Sequence, residues 1–129
     1  PLLDSVMKLT TQLPRSPTSA SLARQLVNAH TTTLGSQQRE DAALLVSELV
    51  SNALLHGLGE ISLRIDVEPD GLYIEVSDQG NASPAPTSTA HPHRGGWGLR
   101  IVDNLANDWG VLEGSTRVWF RLTQPRRED

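Results

Sequence analysis

There is no cysteine in the chain, so neither a disulfide framework nor a thiolate metal site can be built from it. That absence is compatible with a reducing cytosol, and the cytoplasm is the expected compartment. Also missing are an apolar run approaching the roughly 20 residues of a membrane-crossing helix and the leader of a secreted protein, so no membrane association is expected. Positive charge is not in excess. Eleven Lys and Arg stand against 15 Asp and Glu, a net charge of −4, which argues against general affinity for DNA or RNA and leaves no direct nucleic-acid partner expected. The chain begins at Pro1 without an initiator methionine, as a fragment of a longer protein would. What is present is 129 residues, read as a single domain over 1–129, large enough to bury roughly two-thirds of its unfolded surface without staples.

Hydrophobic spacing orders the chain. Loose alternation at Val6, Leu9, Thr11 and Leu13 predicts an edge strand over 6–13, ended by Pro14. Ser16 as N-cap and Pro17 at the first helical position predict a helix start. Leu22, Ala23, Leu26 and Val27 give that helix an apolar stripe, and it should stop near Gly35. Ala42, Leu45, Leu49 and Ala53 predict a second helix over 37–56, with Gly57 as its C-cap. Ile61, Leu63, Ile65 and Val67 alternate with polar residues, Pro69-Asp70-Gly71 turns, and Leu72, Ile74 and Val76 alternate again: a hairpin with one buried face. Residues 79–94 have no periodicity and form a long loop of the kind that is functional or disordered in a compact domain. A third helix is predicted over 99–107, strands over 109–113 and 116–122, and a frayed tail over 124–129. The order of elements predicts an α+β fold, a two-layer α/β sandwich with the helices on one face of a mixed sheet.

Three clusters carry candidate chemistry. Glu48, Asn52 and His56 lie at i, i+4 and i+8; four residues turn about 400°, so the three drift only about 40° per step along one helix face. That face is a hydrogen-bonded polar network, an exposed surface or a ligand site. Asp78-Gln79-Gly80 stands where the hairpin ends. A carboxylate there can accept from an exocyclic amine, and Gly80 admits a flat ring, though Asp-x-Gly also makes ordinary turns. Gly95, Gly96 and Gly98 precede Leu99 and would expose backbone N–H groups at a helix start, a setting for phosphate or a plain hinge. No Gly-Lys-Ser/Thr follows, and no strand precedes, so neither a Walker loop nor a dinucleotide fingerprint is present.

In order and spacing, these clusters resemble the GHKL ATPase superfamily, and within it most closely the anti-sigma-factor serine kinases. Glu48…Asn52…His56-Gly57 looks like the family's N-box, Asp78-Gln79-Gly80 like its adenine box, and Gly96-Trp97-Gly98-Leu99-Arg100-Ile101-Val102-Asp103 like its second glycine box. Trp109-Gly110-Val111 and Val118-Trp119-Phe120 resemble the same branch, and the likeness runs from about Leu13 to Leu122. It implies the histidine-kinase-like ATPase fold, with ATP and Mg²⁺ as cofactors. Residue by residue, it implies Glu48 as general base, Asn52 as the Mg²⁺ ligand, and Asp78 on the adenine amino group with Gly80 shaping the pocket. Gly96, Trp97, Gly98 and Leu99 would lie around the phosphates, and the loop over 79–94 would be the ATP lid. His56 is left structural, capping carbonyls at its helix end.

One departure stands out. The branch has a Lys-Thr pair before the last strand's Val-Trp, whereas this chain has Thr116-Arg117. A one-residue shift on a strand turns a side chain to the other face, which puts Thr116 in doubt as a nucleotide contact. Arg117 reads as a surface arginine or a phosphate contact. The function the resemblance implies is an ATP- and Mg²⁺-dependent serine kinase that sequesters a sigma factor and phosphorylates a serine on an antagonist protein; a homodimer is also compatible. The alternatives are a non-catalytic ATP-gated protein-binding module and the detached catalytic domain of a histidine kinase.

Overall fold

The strongest alternation in the sequence becomes the middle of a sheet. In the computed structural model, which describes residues 7–80, 99–112 and 116–123, β2 (Ile61–Glu68) and β3 (Gly71–Ser77) pair antiparallel with Ile65 opposite Ile74. The register Glu68 to Gly71 leaves Pro69 and Asp70 as the turn. Because side chains alternate across a strand, Ile61, Leu63, Ile65, Leu72 and Ile74 all fall on one face, and all are fully buried. β1 (Met7–Leu13) adds to the free edge of β2 with Leu13 opposite Ile61.

Two helices separate β1 from β2. α1 (Ser19–His30) buries Ala23 and Val27, as its apolar stripe predicts, but it begins later than Ser16-Pro17 suggests. Ser16 instead makes a tight turn: its hydroxyl accepts from the Thr18 amide at 3.2 Å and its carbonyl from the Ser19 amide at 3.0 Å. A serine side chain that bonds its own neighbouring backbone competes with helix, which delays the start. The end also comes sooner than Gly35. Thr31 turns its hydroxyl back onto the Val27 carbonyl at 2.7 Å, and Arg39 donates to the Asn28 carbonyl at 2.8 Å. The last turn is thereby satisfied, and a run of three threonines disfavours more helix. α2 (Ser36–His56) then runs for 21 residues and buries Ala42, Leu45, Val46, Leu49, Val50 and Ala53.

α3 (Leu99–Leu105) inserts Val102 into the same core. It leads to β4 (Asp108–Val111) and β5 (Val118–Thr123), which pair antiparallel. The sheet order is β1-β2-β3-β5-β4. Phe120, the only phenylalanine of the chain, is fully buried opposite Ile74. The two-layer α+β sandwich is as the element order predicts, with the core between α1, α2, α3 and one face of the sheet. The pairing inside the sheet differs from the expected mixture. All four pairings among the described strands are antiparallel. β4 runs in the same direction as β3, but β5 lies between them, so the parallel neighbours never meet.

The other face of the sheet is polar and self-paired. Arg64 holds Asp66 at 2.8 Å, Tyr73 donates to Glu75 at 2.7 Å, Arg117 pairs with Glu75 at 3.4 Å, and Arg121 pairs with Glu68 at 3.2 Å. The guanidinium groups of Arg64 and Arg121 sit over the Tyr73 ring, which stacks on Trp119. Burial, then the hydrogen bond to Glu75, pushes the Tyr73 hydroxyl up to about 12. Asp66 and Glu75 are buried by this network rather than aimed into a cleft, so their burial is structural.

Candidate functional site

α2 brings two of the three helix residues to the border of the core. Glu48 and Asn52 are both half-buried beside fully buried neighbours, one helical turn apart on the same side. His56 is exposed at the last position of the helix. Asn52 stands apart chemically: its Nδ2 is buried and has no hydrogen-bond partner among the described residues. A buried donor left unsatisfied costs about 1–3 kcal/mol, and turning the amide about its last bond would bury the oxygen in its place. Either end of this amide fits a group supplied from outside the chain, an oxygen for Nδ2 or a hard cation for Oδ1. Asn52→Ala is therefore expected to leave the ligand-free fold as stable as wild type, because the deleted group has no protein partner. The same change should weaken Mg·ATP by at least about tenfold, the scale of a disturbed metal shell. Titration calorimetry with and without Mg²⁺ checks this, and equal affinities would make the amide structural.

The second part of the site hangs from the end of β3. Asp78 follows Ser77, the last residue of the strand, and its Oδ1 accepts from the Leu58 amide at 3.3 Å and the Gly80 amide at 2.7 Å. No hydrogen bond among the described residues uses Oδ2. The connection from α2 to β2 wraps this carboxylate. The Leu58 carbonyl accepts from the Gln79 amide at 2.8 Å, and the Gln79 side chain accepts from the Glu60 amide at 2.9 Å. Two glycines make the approach possible. Gly59 has φ +70°, and a Cβ on it would fall 2.1 Å from Gln79 Oε1. Gly57 is a C-cap as predicted, yet its backbone is extended, with φ −102°. Room is what it provides: a Cβ there would lie 2.2 Å from Asp78 Oδ2 and 2.8 Å from the Ala53 carbonyl. Gly57→Ala is accordingly expected to destabilise the fold by about 1–3 kcal/mol, the range for overpacking. Chemical denaturation measures it, and an unchanged midpoint would contradict the packing.

Thr116 adjoins this site through the backbone of Asp78. It precedes β5, where alternation does not apply, and its hydroxyl accepts from the Asp78 amide at 3.2 Å and donates to the Asp78 carbonyl at 3.1 Å. Arg117 reaches the other face and pairs with Glu75. Gln79 was legible only as the middle of Asp-x-Gly, and no sequence signal marks its side chain as a brace. Of the third cluster, Gly95, Gly96, Trp97 and Gly98 lie outside the described residues, as do the side chain of Leu99 and the lid beyond Gly80. The Leu99 backbone opens α3, which packs against α2.

The α2–β2 connection thus joins the helix carrying Glu48 and Asn52 to a carboxylate with one oxygen held by backbone amides and the other unused. An acceptor fixed in this way can take a donor on its unused oxygen, such as an exocyclic amine.

Comparison with known proteins bears on this arrangement. A family described as the histidine kinase-like ATPase domain matches residues 13–122. Among solved structures, the crystal structure of the RsbU and RsbW domains of Rv1364c from Mycobacterium tuberculosis is similar, with a TM-score of 0.67 and 19% identity, over 92% of this chain and 32% of that one. The chain therefore spans about a third of the length of that protein, and the likeness is one of fold. No curated protein matches the chain.

Proposed function

The chain belongs to the histidine kinase-like ATPase domain family, and from that premise we propose that it is an ATP- and Mg²⁺-dependent serine kinase of the anti-sigma-factor type. It holds a sigma factor and phosphorylates a serine on the antagonist protein that competes for it. The observation that carries the nucleotide part is the Asp78 carboxylate, clamped through Oδ1 by two amides with Oδ2 unused among the described residues. The anti-sigma branch rests on the motif order and on the Trp-Gly-Val and Val-Trp-Phe strands.

Each residue then has a part. Asp78 accepts from the adenine amino group; the Leu58 and Gly80 amides hold its carboxylate, Thr116 holds its backbone, and Gly57 leaves room beside it. Asn52 offers its amide oxygen to Mg²⁺, a hard ligand for a hard cation. No group of three or more His, Asp or Glu side chains capable of holding a metal occurs among the described residues. Gly96, Trp97, Gly98 and Leu99 are assigned to the phosphates. When bound, Mg·ATP supplies the phosphoryl group and neutralises its charge, and such transfers depend chiefly on positioning. Glu48 takes the proton from the attacking serine hydroxyl.

The test is incubation of the domain with γ-labelled Mg·ATP and the small antagonist proteins of its own cell. Acid-stable label on an antagonist serine is the expected result. Acid-labile label on a histidine would assign histidine kinase chemistry instead. Nucleotide binding with no transfer would leave a binding module.

A further inference from the structure

The last four carbonyls of a helix have no partner within it, and in the C-terminal turn of α2 one side chain meets two of them. If the helix ran on, the Leu58 amide would donate to the Leu54 carbonyl four residues back; it donates to Asp78 Oδ1 instead. The Leu54 carbonyl accepts from Arg15, whose Nη1 lies 2.9 Å away. The same guanidinium donates through Nη2 to the Ala53 carbonyl at 2.8 Å and through Nε to the Gly59 carbonyl at 2.9 Å. Its fork therefore spans both sides of Leu58, the last helical turn on one and the Gly59 elbow on the other. Arg15 itself lies between Pro14 and Ser16, 39 residues before Leu54 in the chain. A cation at a helix C-terminus is also favoured by the helix dipole.

We propose that Arg15 is a positioning residue for the adenine-reading carboxylate. By tying the Leu54 carbonyl to the Gly59 carbonyl, it fixes the turn that holds the Leu58 amide on Asp78 and so leaves Oδ2 for the base. Arg15 touches neither metal nor nucleotide in this role. Without it, the bridge across the turn at Leu58 is lost, and the carboxylate loses one of its two amide anchors. The Gly80 anchor at 2.7 Å remains, so the expected outcome is misalignment of the base pocket and not its collapse. The guanidinium is required for its geometry: three donors in one plane meet three carbonyls, a pattern a lysine ammonium does not reproduce. The inference rests on the assignment of Asp78 to adenine.

Calorimetry on Arg15→Ala and Arg15→Lys, with Mg·ATP and with Mg·tripolyphosphate as a probe lacking the base, tests it. Arg15→Ala should bind ATP about tenfold more weakly, the scale of one misaligned hydrogen bond, while its tripolyphosphate affinity stays at the wild-type value. Arg15→Lys should recover part of the loss. In the absence of nucleotide, amide hydrogen exchange or the amide chemical shift of Leu58 should change in Arg15→Ala. Equal weakening of both ligands would mean a general structural role and overturn the proposal, as would unchanged ATP affinity in a variant whose Leu58 amide is unaltered. Wild-type protein that binds tripolyphosphate but shows no preference for ATP would remove the adenine assignment itself, a result distinct from either.

Discussion

Glu48→Gln is expected to bind Mg·ATP as wild type does and to transfer phosphate at least about 100-fold more slowly, the scale for losing a positioned general base. Glutamine keeps the size and hydrogen-bonding reach of glutamate but removes the basic carboxylate. Position explains why binding should survive. Glu48 lies one turn before Asn52 on a helix anchored by Leu45, Leu49 and Val50, all essentially buried, so the substitution at a half-buried site leaves that packing alone. The variant should still hold the sigma factor, because that contact needs the fold and the nucleotide and not the chemistry. The unphosphorylated antagonist should then stay bound to it. Single-turnover transfer and equilibrium nucleotide binding, measured on the same protein, separate the two effects. A variant as active as wild type would place the base elsewhere. Wild-type protein that phosphorylates no antagonist from its own cell would favour the binding module.

Asp78→Asn should weaken ATP by about 1–3 kcal/mol and leave inorganic phosphate and tripolyphosphate untouched. The amide oxygen can still accept from the Leu58 and Gly80 amides, so the loop keeps its anchors. The change falls on the other atom: where Oδ2 accepted, an NH₂ donor now faces the exocyclic amine, and two donors repel. The loss is thus confined to the base, and thermal unfolding without ligand should shift little. Unchanged ATP affinity by calorimetry would take Asp78 out of the adenine pocket.

Most of the fold was legible in the sequence because its spacings are clear. Ile61 to Val67 and Leu72 to Val76 alternate cleanly on either side of a turn, and Ala42 to Ala53 keep helical spacing. The resemblance to the GHKL ATPases, carried by motif order, was upheld at the level of the family. The boundaries of α1 were not legible, since Ser16 and Thr31 bond their own neighbouring backbone and such local competition leaves no periodic trace. Thr116 was counted as part of a strand that begins two residues later, at Val118, so its bonds to the Asp78 backbone were not legible. Arg15 carried no signal at all. Its three acceptors are backbone carbonyls 38 to 44 residues away, and any residue type could supply them. The direction of the sheet pairings depends on where the last strand inserts, which residue patterns do not encode.

That insertion has a consequence for synthesis. β5 is the last of the described strands yet lies between β3 and β4, pairing with both. As the polypeptide leaves the ribosome, β2 and β3 can pair as a hairpin with β1 at its edge, but the row of N–H and C=O groups on the open side of β3 has no partner until Thr123 has been made. Until then Ile74 and Val76 lack the neighbours Phe120 and Val118 that cover them in the finished sheet, and an uncovered strand edge invites pairing with other chains. A ribosome stalled between β3 and β5 therefore carries a sticky three-stranded intermediate, and β5 acts as its closing stitch.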